Sequence, residues 1–423
     1  MQTTPHDRKS VFIVNLEKIV GDGPATGNIA AKNISLMPRY LWYLDHFDTV
    51  VLESLPPSDF QDYVSSFGLA INVYVPPQLH ASSLTMLDAF DDPKFVGIVS
   101  GSNVDSYVPD AALAELVHAH GGTYLSSADN RANHLAGDKH HFSEISAPLF
   151  ITPPGELQRG IYHTAKAVLA RLKSRQDTFV RITRAGGGLG NHVFYTDDWP
   201  KPTEAAIARE LGGKNPQLWR GATALVEDVI DLTSTYGVAF HTLGTLHHTT
   251  LQITRGNNFC GCWIPCPPEI CPPSSIENVV AHFSKQLSNL GFHGHAQTDL
   301  GIDTQGNHYG FEVNARYTGG MHAKFIMDLL GAPVAKSIDT FYLADDFSFI
   351  QLKTKLSAAN LLASPNQPTG AVISIPPVGG TTGIVVLGPT HQDVDTLYYQ
   401  IVDCVGDPTK NSEDRPLYPL NHN

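Results

Sequence analysis

The stretch AQTDLGIDTQGNHYGFEVNAR, residues 296–316, constrains this chain more than any other. Its flanks, AQTDLGI and FEVN, are apolar-rich and alternate as strands do. Between them DTQGN is turn chemistry, with Gly306 able to take a positive φ. With the turn centred between Gln305 and Gly306, Asp299 lies across from Glu312 and Gln297 across from Asn314. Period-two alternation puts Glu312, Asn314 and Arg316 on one strand face, and Asp299 and Gln297 on that same face of the partner strand. Two carboxylates facing each other across a hairpin repel. A divalent cation removes the conflict, and oxygens from Asp, Glu and Asn suit Mg²⁺, which keeps waters and phosphate oxygens as further ligands. Arg316, one step beyond, suits phosphate. The residues alone support two readings, a Mg-nucleotide site or a solvated hairpin face, and a one-residue slip of register undoes the facing pairs.

The remaining chain narrows the class. Its 423 residues allow two to four domains, and 42% hydrophobic with 16% charged residues is an ordinary globular composition. Asp plus Glu is 41 against Lys plus Arg 28, a formal net charge of −13, which argues against nonspecific nucleic-acid binding and against anionic membranes. The first apolar run, VFIV, is too short for a signal peptide, and no run approaches a membrane span. A soluble, cytoplasmic protein is expected. Cys260, Cys262, Cys266 and Cys271 crowd into CGCWIPCPPEIC. Structural zinc favours well-separated C-x₂₋₄-C pairs, so the spacing reads as a Pro-rich loop with small, partly buried thiols, and a metal there stays open.

VFIVN at 11–15, TVVLESL at 49–55 and FVGIVSG at 95–101 read as strands, with a helical RYLWYLDHF before the second and a helix DAALAELVHAHGG after the third. Alternating strands and helices indicate a parallel sheet, so residues 1–128 are expected to form a Rossmann-like α/β domain; it lacks G-x-G-x-x-G, which speaks against a dinucleotide. GIYHTAKAVLARLKSR is an amphipathic helix, and SIENVVAHFSKQLSNLGF another that leads into the hairpin. The tail from 346 carries strands AVISIPP and GIVVLG and a helix DVDTLYYQIVDCV. Arg39, alone on its amphipathic helix, reads as a solvated position, and His293 and His295 as structural histidines.

TFVRITRAGGGLGNHVF reads as strand, glycine loop, strand. A Walker A loop opens a helix, so this is not one. Gly186, Gly187, Gly188 and Gly190 allow backbone N–H groups close to phosphates, with Arg181 and Arg184 adding positive charge; a merely flexible turn is the alternative. What strengthens the loop is its place in a series: Lys139, the glycine hairpin, the acidic VEDVI, then the paired-carboxylate hairpin.

That order, with an Asp followed by Glu-x-Asn-x-Arg, resembles the ATP-grasp superfamily of carboxylate–amine ligases. The resemblance implies a mixed α/β ATP-grasp fold behind the Rossmann-like pre-ATP-grasp domain. Its amino-terminal lobe would span 129–230 and its carboxy-terminal lobe 231–345, with 346–423 completing the enzyme. It implies ATP and Mg²⁺ as cofactors, with Mn²⁺ as a substitute. Asp299, Glu312 and Asn314 would hold the metal, and Arg316, with Glu312 and Asn314, would serve the transferring phosphoryl group. Lys139, Arg181 and the loop glycines Gly186, Gly187, Gly188 and Gly190 would bind phosphates. Glu227 and Val229 would read the base, and Asp231 the ribose. Arg181 stands where the family usually has lysine, which puts nucleotide grip in question there. Backbone N–H groups of Thr318, Gly319 and Gly320 are candidates for an acyl oxygen, with a plain strand-to-helix turn as the alternative.

A narrower resemblance, to pheganomycin-type peptide ligases, rests on the amino-terminal domain, on LQITRGNNFCGCWIP and on PTGAVISIPPVGG with GIVVLGPT. It implies an ADP-forming ligase of amino acids or peptides in specialised metabolism, working on small molecules, with a homodimer left open. The rival readings are a kinase releasing a phosphorylated product, a non-catalytic ATP-binding protein, and a zinc module on the cysteines.

Overall fold

The computed structural model describes residues 9–20, 35–77, 85–147, 149–186, 188, 190–213, 216–255, 258–271 and 273–411. Three sheets organise them, of five, eight and four strands. The five-stranded sheet is parallel and belongs to the first part of the chain, with Ser10–Ile13 at its centre between Thr49–Val51 and Asn103–Ser106. The strands Ser10–Ile13 and Thr49–Val51 read as apolar runs because both faces are covered: Phe12 and Ile13 point to opposite sides and both are fully buried. The expected strand at 95–101 is instead a helix, Pro93–Val99. Asp92 caps it by accepting from the Lys94 N–H at 2.9 Å, Pro93 sits in its first turn, and Phe95 and Val99, four apart, bury one stripe. The sheet's next strand, Asn103–Ser106, follows directly.

The four-stranded sheet pairs Thr178–Ile182 with His192–Phe194 across the glycine loop and with Thr223–Asp228 on its other side, all antiparallel. Helix Ile161–Lys173 packs on it with Ala165 and Val168 buried. The eight-stranded sheet holds the hairpin at one edge, and the tail strands Gly370–Val378 and Thr381–Gly388 extend the same sheet at the other.

Two sequence expectations change here. Cys260 and Cys262 lie on a strand, Asn258–Ile264, and only Cys266 and Cys271 lie in the loop beyond it, hydrogen-bonded to each other. Among the described residues no three His, Cys, Asp or Glu side chains converge on a metal position. Arg39 is not solvated: it is 5% exposed and donates to Asp339 Oδ2 at 2.9 Å and to the Tyr40 hydroxyl at 2.9 Å. Its partner is 300 residues away, beyond the reach of any local pattern. Among the described residues no helix is long and apolar enough to cross a membrane.

Candidate active site

The hairpin forms from His295–Asp303 and His308–Asn314. Gln297 faces Asn314 and Asp299 faces Glu312, the register expected from the sequence. Beyond that pair the register slips by one, so Leu300 faces Gly310 and Phe311 is the extra residue. The slip shortens the turn, where Gly306 takes φ +82° and Asp303 accepts from the backbone N–H groups of Gln305 and Asn307, each at 2.8 Å. It also serves the site, because the Phe311 carbonyl accepts from Arg181 Nη1 at 3.0 Å and ties the hairpin to the four-stranded sheet.

The carboxylates are bound into one network. Asn314 Nδ2 donates to Asp299 Oδ2 at 2.8 Å and to Glu312 Oε1 at 3.2 Å, while its own Oδ1 accepts from Arg316 Nη2 at 2.6 Å. Asp299 Oδ1 accepts from Gln252 and Gln297 at 2.9 and 2.8 Å. Lys139, buried at the start of helix Lys139–Ser146, places its ammonium 2.8 Å from Glu312 Oε2 and donates to the Ala185 carbonyl at 2.5 Å. One lysine therefore joins the hairpin to the glycine loop. Burial pushes the Asp299 carboxyl up, to about 7, and facing Glu312 adds to the rise. For Glu312 burial also pushes up, but Lys139, Arg181 and Arg316 outweigh it and hold the group well below the usual carboxylate range. Only one of the two facing carboxylates thus has its charge matched. A cation bound between them lets both ionise, and the Asp, Glu and Asn oxygens are the donor set that Mg²⁺ takes.

Gly186 lies directly on Arg316: a Cβ there would sit 2.8 Å from Arg316 Nη2 and 2.9 Å from Ile19 Cγ2. Gly188 and Gly190 take φ +76° and +75°, which a side chain at either position would strain. Gly187 lies outside the described residues. The pocket beneath the loop is lined by Lys139, Gly186, Glu312, Asn314 and Arg316, and by Lys18 from the amino-terminal unit. Lys18 pairs with Asp110 at 2.7 Å. The sequence reading passed over Lys18, which stands alone after the first strand with no motif around it.

Arg181, Glu227, Val229 and Asp231 are not brought into that lining. Arg181 and Glu227 bind each other through two contacts, 2.7 and 2.9 Å, with both side chains buried. Val229 is half-buried and Asp231 exposed, in the link between Thr223–Asp228 and Leu232–His241.

Solved structures share this architecture. Biotin carboxylase from Campylobacter jejuni, in a β-γ-ATP complex, has TM-score 0.58 at 11% identity, over 94% of this chain and 91% of that one. The biotin carboxylase domain of the Hydrogenobacter thermophilus 2-oxoglutarate carboxylase, in a complex with MgADP, ADP and bicarbonate, has TM-score 0.57 at 12% identity, over 94% and 90%. An N5-carboxyaminoimidazole ribonucleotide synthetase in an ADP complex has TM-score 0.56 at 12% identity, over 93% and 96%. No protein-family model matches the sequence, and none of the curated proteins compared with it matches. At such identities the likeness is one of fold: the chain has the mixed α/β ATP-grasp fold with an amino-terminal Rossmann-like unit.

Proposed function

We propose that this chain is an ATP-dependent, ADP-forming ligase that joins the carboxylate of an amino acid or peptide to an amine through an acyl phosphate. The observation that carries the proposal is the convergence of Glu312, Asn314, Arg316 and Lys139 in one pocket under the glycine loop, with Asp299 joined to them through Asn314. Mg²⁺ held by Asp299, Glu312 and Asn314 supplies charge neutralisation at the phosphates. Lys139 and the loop backbone bind the phosphates, and Arg316 stabilises the charge that develops as the phosphoryl group passes to the substrate carboxylate. An amine then displaces phosphate. No protein nucleophile takes part, so positioning and electrostatics carry the rate. Glu227, Val229 and Asp231 are assigned to the nucleoside end. Arg181, engaged by Glu227, holds that acidic strand against the hairpin rather than gripping a phosphate directly. The narrower assignment, to peptide ligation in specialised metabolism, rests on the soft sequence resemblance alone.

The test is nucleotide turnover by the purified protein with ATP and Mg²⁺ against single and paired amino acids, with mass detection of products. ADP, phosphate and a new amide are expected. AMP and pyrophosphate would refute the acyl-phosphate route, and turnover with one acid and no amide would make the chain a kinase.

A further inference from the structure

One buried carboxylate takes no part in the site described above. Asp105 lies on Asn103–Ser106, which pairs with the central strand of the parallel sheet, and is 5% exposed. Neutral donors hold it. Oδ1 accepts from the Ser126 hydroxyl at 2.5 Å and from the Ser106 N–H at 2.9 Å, and Oδ2 accepts from the Tyr317 hydroxyl at 3.0 Å. Burial pushes the carboxyl up, to about 6, and these three bonds pull against the rise. A buried carboxylate held only by neutral groups costs stability, so its place in the fold calls for a use. One of its three donors comes from 212 residues along the chain, and that residue is the neighbour of Arg316.

Tyr317 is where the amino-terminal unit grips the candidate active site. Its backbone N–H donates to the Tyr107 carbonyl at 3.1 Å, so the stretch around Asp105 holds both its main chain and its hydroxyl. Asn15, after the central strand, pins that stretch: it donates to the Val108 carbonyl at 2.8 Å and accepts from the Val108 N–H at 2.9 Å. The Tyr317 ring is buried, edge-on to Phe12 at 5.0 Å between centroids. Its carbonyl accepts from Arg316 Nη1 at 3.0 Å, while Arg316 Nη2 donates to Asn314 Oδ1 at 2.6 Å. The guanidinium is thus held on one side by the hairpin and on the other by a residue that the amino-terminal unit fixes. Both acceptors are neutral oxygens, which aim the guanidinium without cancelling its charge.

We infer that Tyr317 and Asp105 are positioning residues for phosphoryl transfer: through the bond between them, the Rossmann-like unit aims Arg316. The inference rests on the ligase reading above and goes beyond it, giving a part in catalysis to a unit that lacks a dinucleotide fingerprint. Neither residue touches the reacting atoms. Burial, with Asp105 beside it, holds the Tyr317 hydroxyl well above its ordinary range, so Tyr317 keeps its proton and acts by geometry.

Two assays on the full-length protein test this. The first is steady-state kinetics with the substrates found by the turnover screen. Tyr317→Phe keeps the packed ring and removes only the hydroxyl; kcat should fall about tenfold with KM for ATP unchanged, as a small displacement of a catalytic group predicts. In an Arg316→Ala background the same change should cost less than about twofold, because the hydroxyl then has nothing to aim. Equal costs in the two backgrounds would make Tyr317 a stability residue only and overturn the inference. Asp105→Asn is the conservative variant. Its amide keeps an oxygen for Ser126 and Ser106 and turns an N–H toward the Tyr317 hydroxyl, so kcat should stay within about threefold of wild type. A loss as large as that of Tyr317→Phe would show that the charge, not the bond, matters, and would overturn the assignment.

The second assay is NMR of arginine side chains labelled with ¹⁵N, without substrate. The Arg316 signals, identified by their loss in Arg316→Ala, should exchange hydrogen with water about tenfold faster in Tyr317→Phe than in wild type. Unchanged exchange overturns the inference whatever the activity. Should Tyr317→Phe fail to fold, Asp105→Ser, whose shorter side chain withdraws the acceptor, replaces it in both assays. Absence of turnover by the wild type with every substrate would instead sink the ligase reading, while the exchange measurement still judges how Arg316 is held.

Discussion

At the hairpin end of the polar sheet face, Asp299, Glu312 and the Asn314 side-chain oxygen each accept from a named donor, whereas farther across the same sheet Asp339 Oδ1, Thr250 Oγ1 and the His248 ring nitrogens have no hydrogen-bond partner among the described residues. The first end is organised before any ligand arrives. Its ties to Lys139, Arg181 and Arg316 fix its side chains in place and leave the charge of one carboxylate unmatched. The second keeps several buried polar atoms without a partner among the described residues. A site that must act identically in every turnover is pre-satisfied.

The largest expected effect belongs to the organised end. Arg316→Ala removes the group placed against Asn314 and the glycine loop, and kcat should fall about 10²–10³-fold, the range for losing one preorganised electrostatic donor. Steady-state kinetics with the substrates found by the turnover screen measure it, and a loss below about tenfold would remove Arg316 from the chemistry.

Gly186→Ala comes next. Its new methyl would meet Arg316 Nη2 at 2.8 Å, and the long Arg316 side chain can move while the backbone stays. Activity should drop by about tenfold through misplacement of that guanidinium, with the unfolding temperature nearly unchanged. Equal losses of activity and of stability would mean that the glycine serves packing instead.

The hairpin end was legible in the sequence because its parts are local. Asp299, Glu312, Asn314 and Arg316 lie within one turn-and-two-strands unit, so alternation and turn chemistry alone gave the facing pairs. Even there the slip at Leu300 was invisible, since an extra residue in one strand changes no hydrophobic pattern. The buried polar cluster around Asp339 and Thr250 was not legible. Asp339, His322 and Thr250 reach it from three different elements, and Arg39 joins from the other end of the chain. No periodicity links them. The helix misread as a strand at 95–101 has a different cause: a short apolar run fits both, and the deciding Asp92–Pro93 cap precedes it.

Acidity gives a third, smaller test of the uneven charge at the organised end. Asp299 titrates at about 7 in the fold against an ordinary 3.8, through burial first and Glu312 second. Between those values the folded protein keeps a proton that the unfolded chain releases. The Asp299 contribution to metal-free stability therefore declines as pH rises from 3.8 to about 7 and is flat beyond. Thermal unfolding across this range should show a shallower decline for Asp299→Asn than for wild type. Mg²⁺ should raise the wild-type unfolding temperature most at the alkaline end. Parallel curves for the two proteins would mean that Glu312 and burial do not press on Asp299 as described.

The smallest effect tests the comparison most directly, with one substitution made at each end. Thr318 Oγ1 donates to Gln297 Oε1 at 2.8 Å, while Thr250 Oγ1, equally buried, has no partner among the described residues. Valine is nearly isosteric with threonine and removes only the hydroxyl. At Thr318 the change leaves the Gln297 carbonyl short of a donor, and stability should fall by about 1 kcal/mol. At Thr250 it removes a buried hydroxyl that pairs with nothing, and stability should hold within about 0.5 kcal/mol or rise. Denaturant unfolding of the two variants side by side resolves the difference. If both lose stability equally, an ordered water already satisfies Thr250, and the two ends of the face are alike. If only Thr318→Val loses, the hydroxyl of Thr250 is kept at the expense of stability.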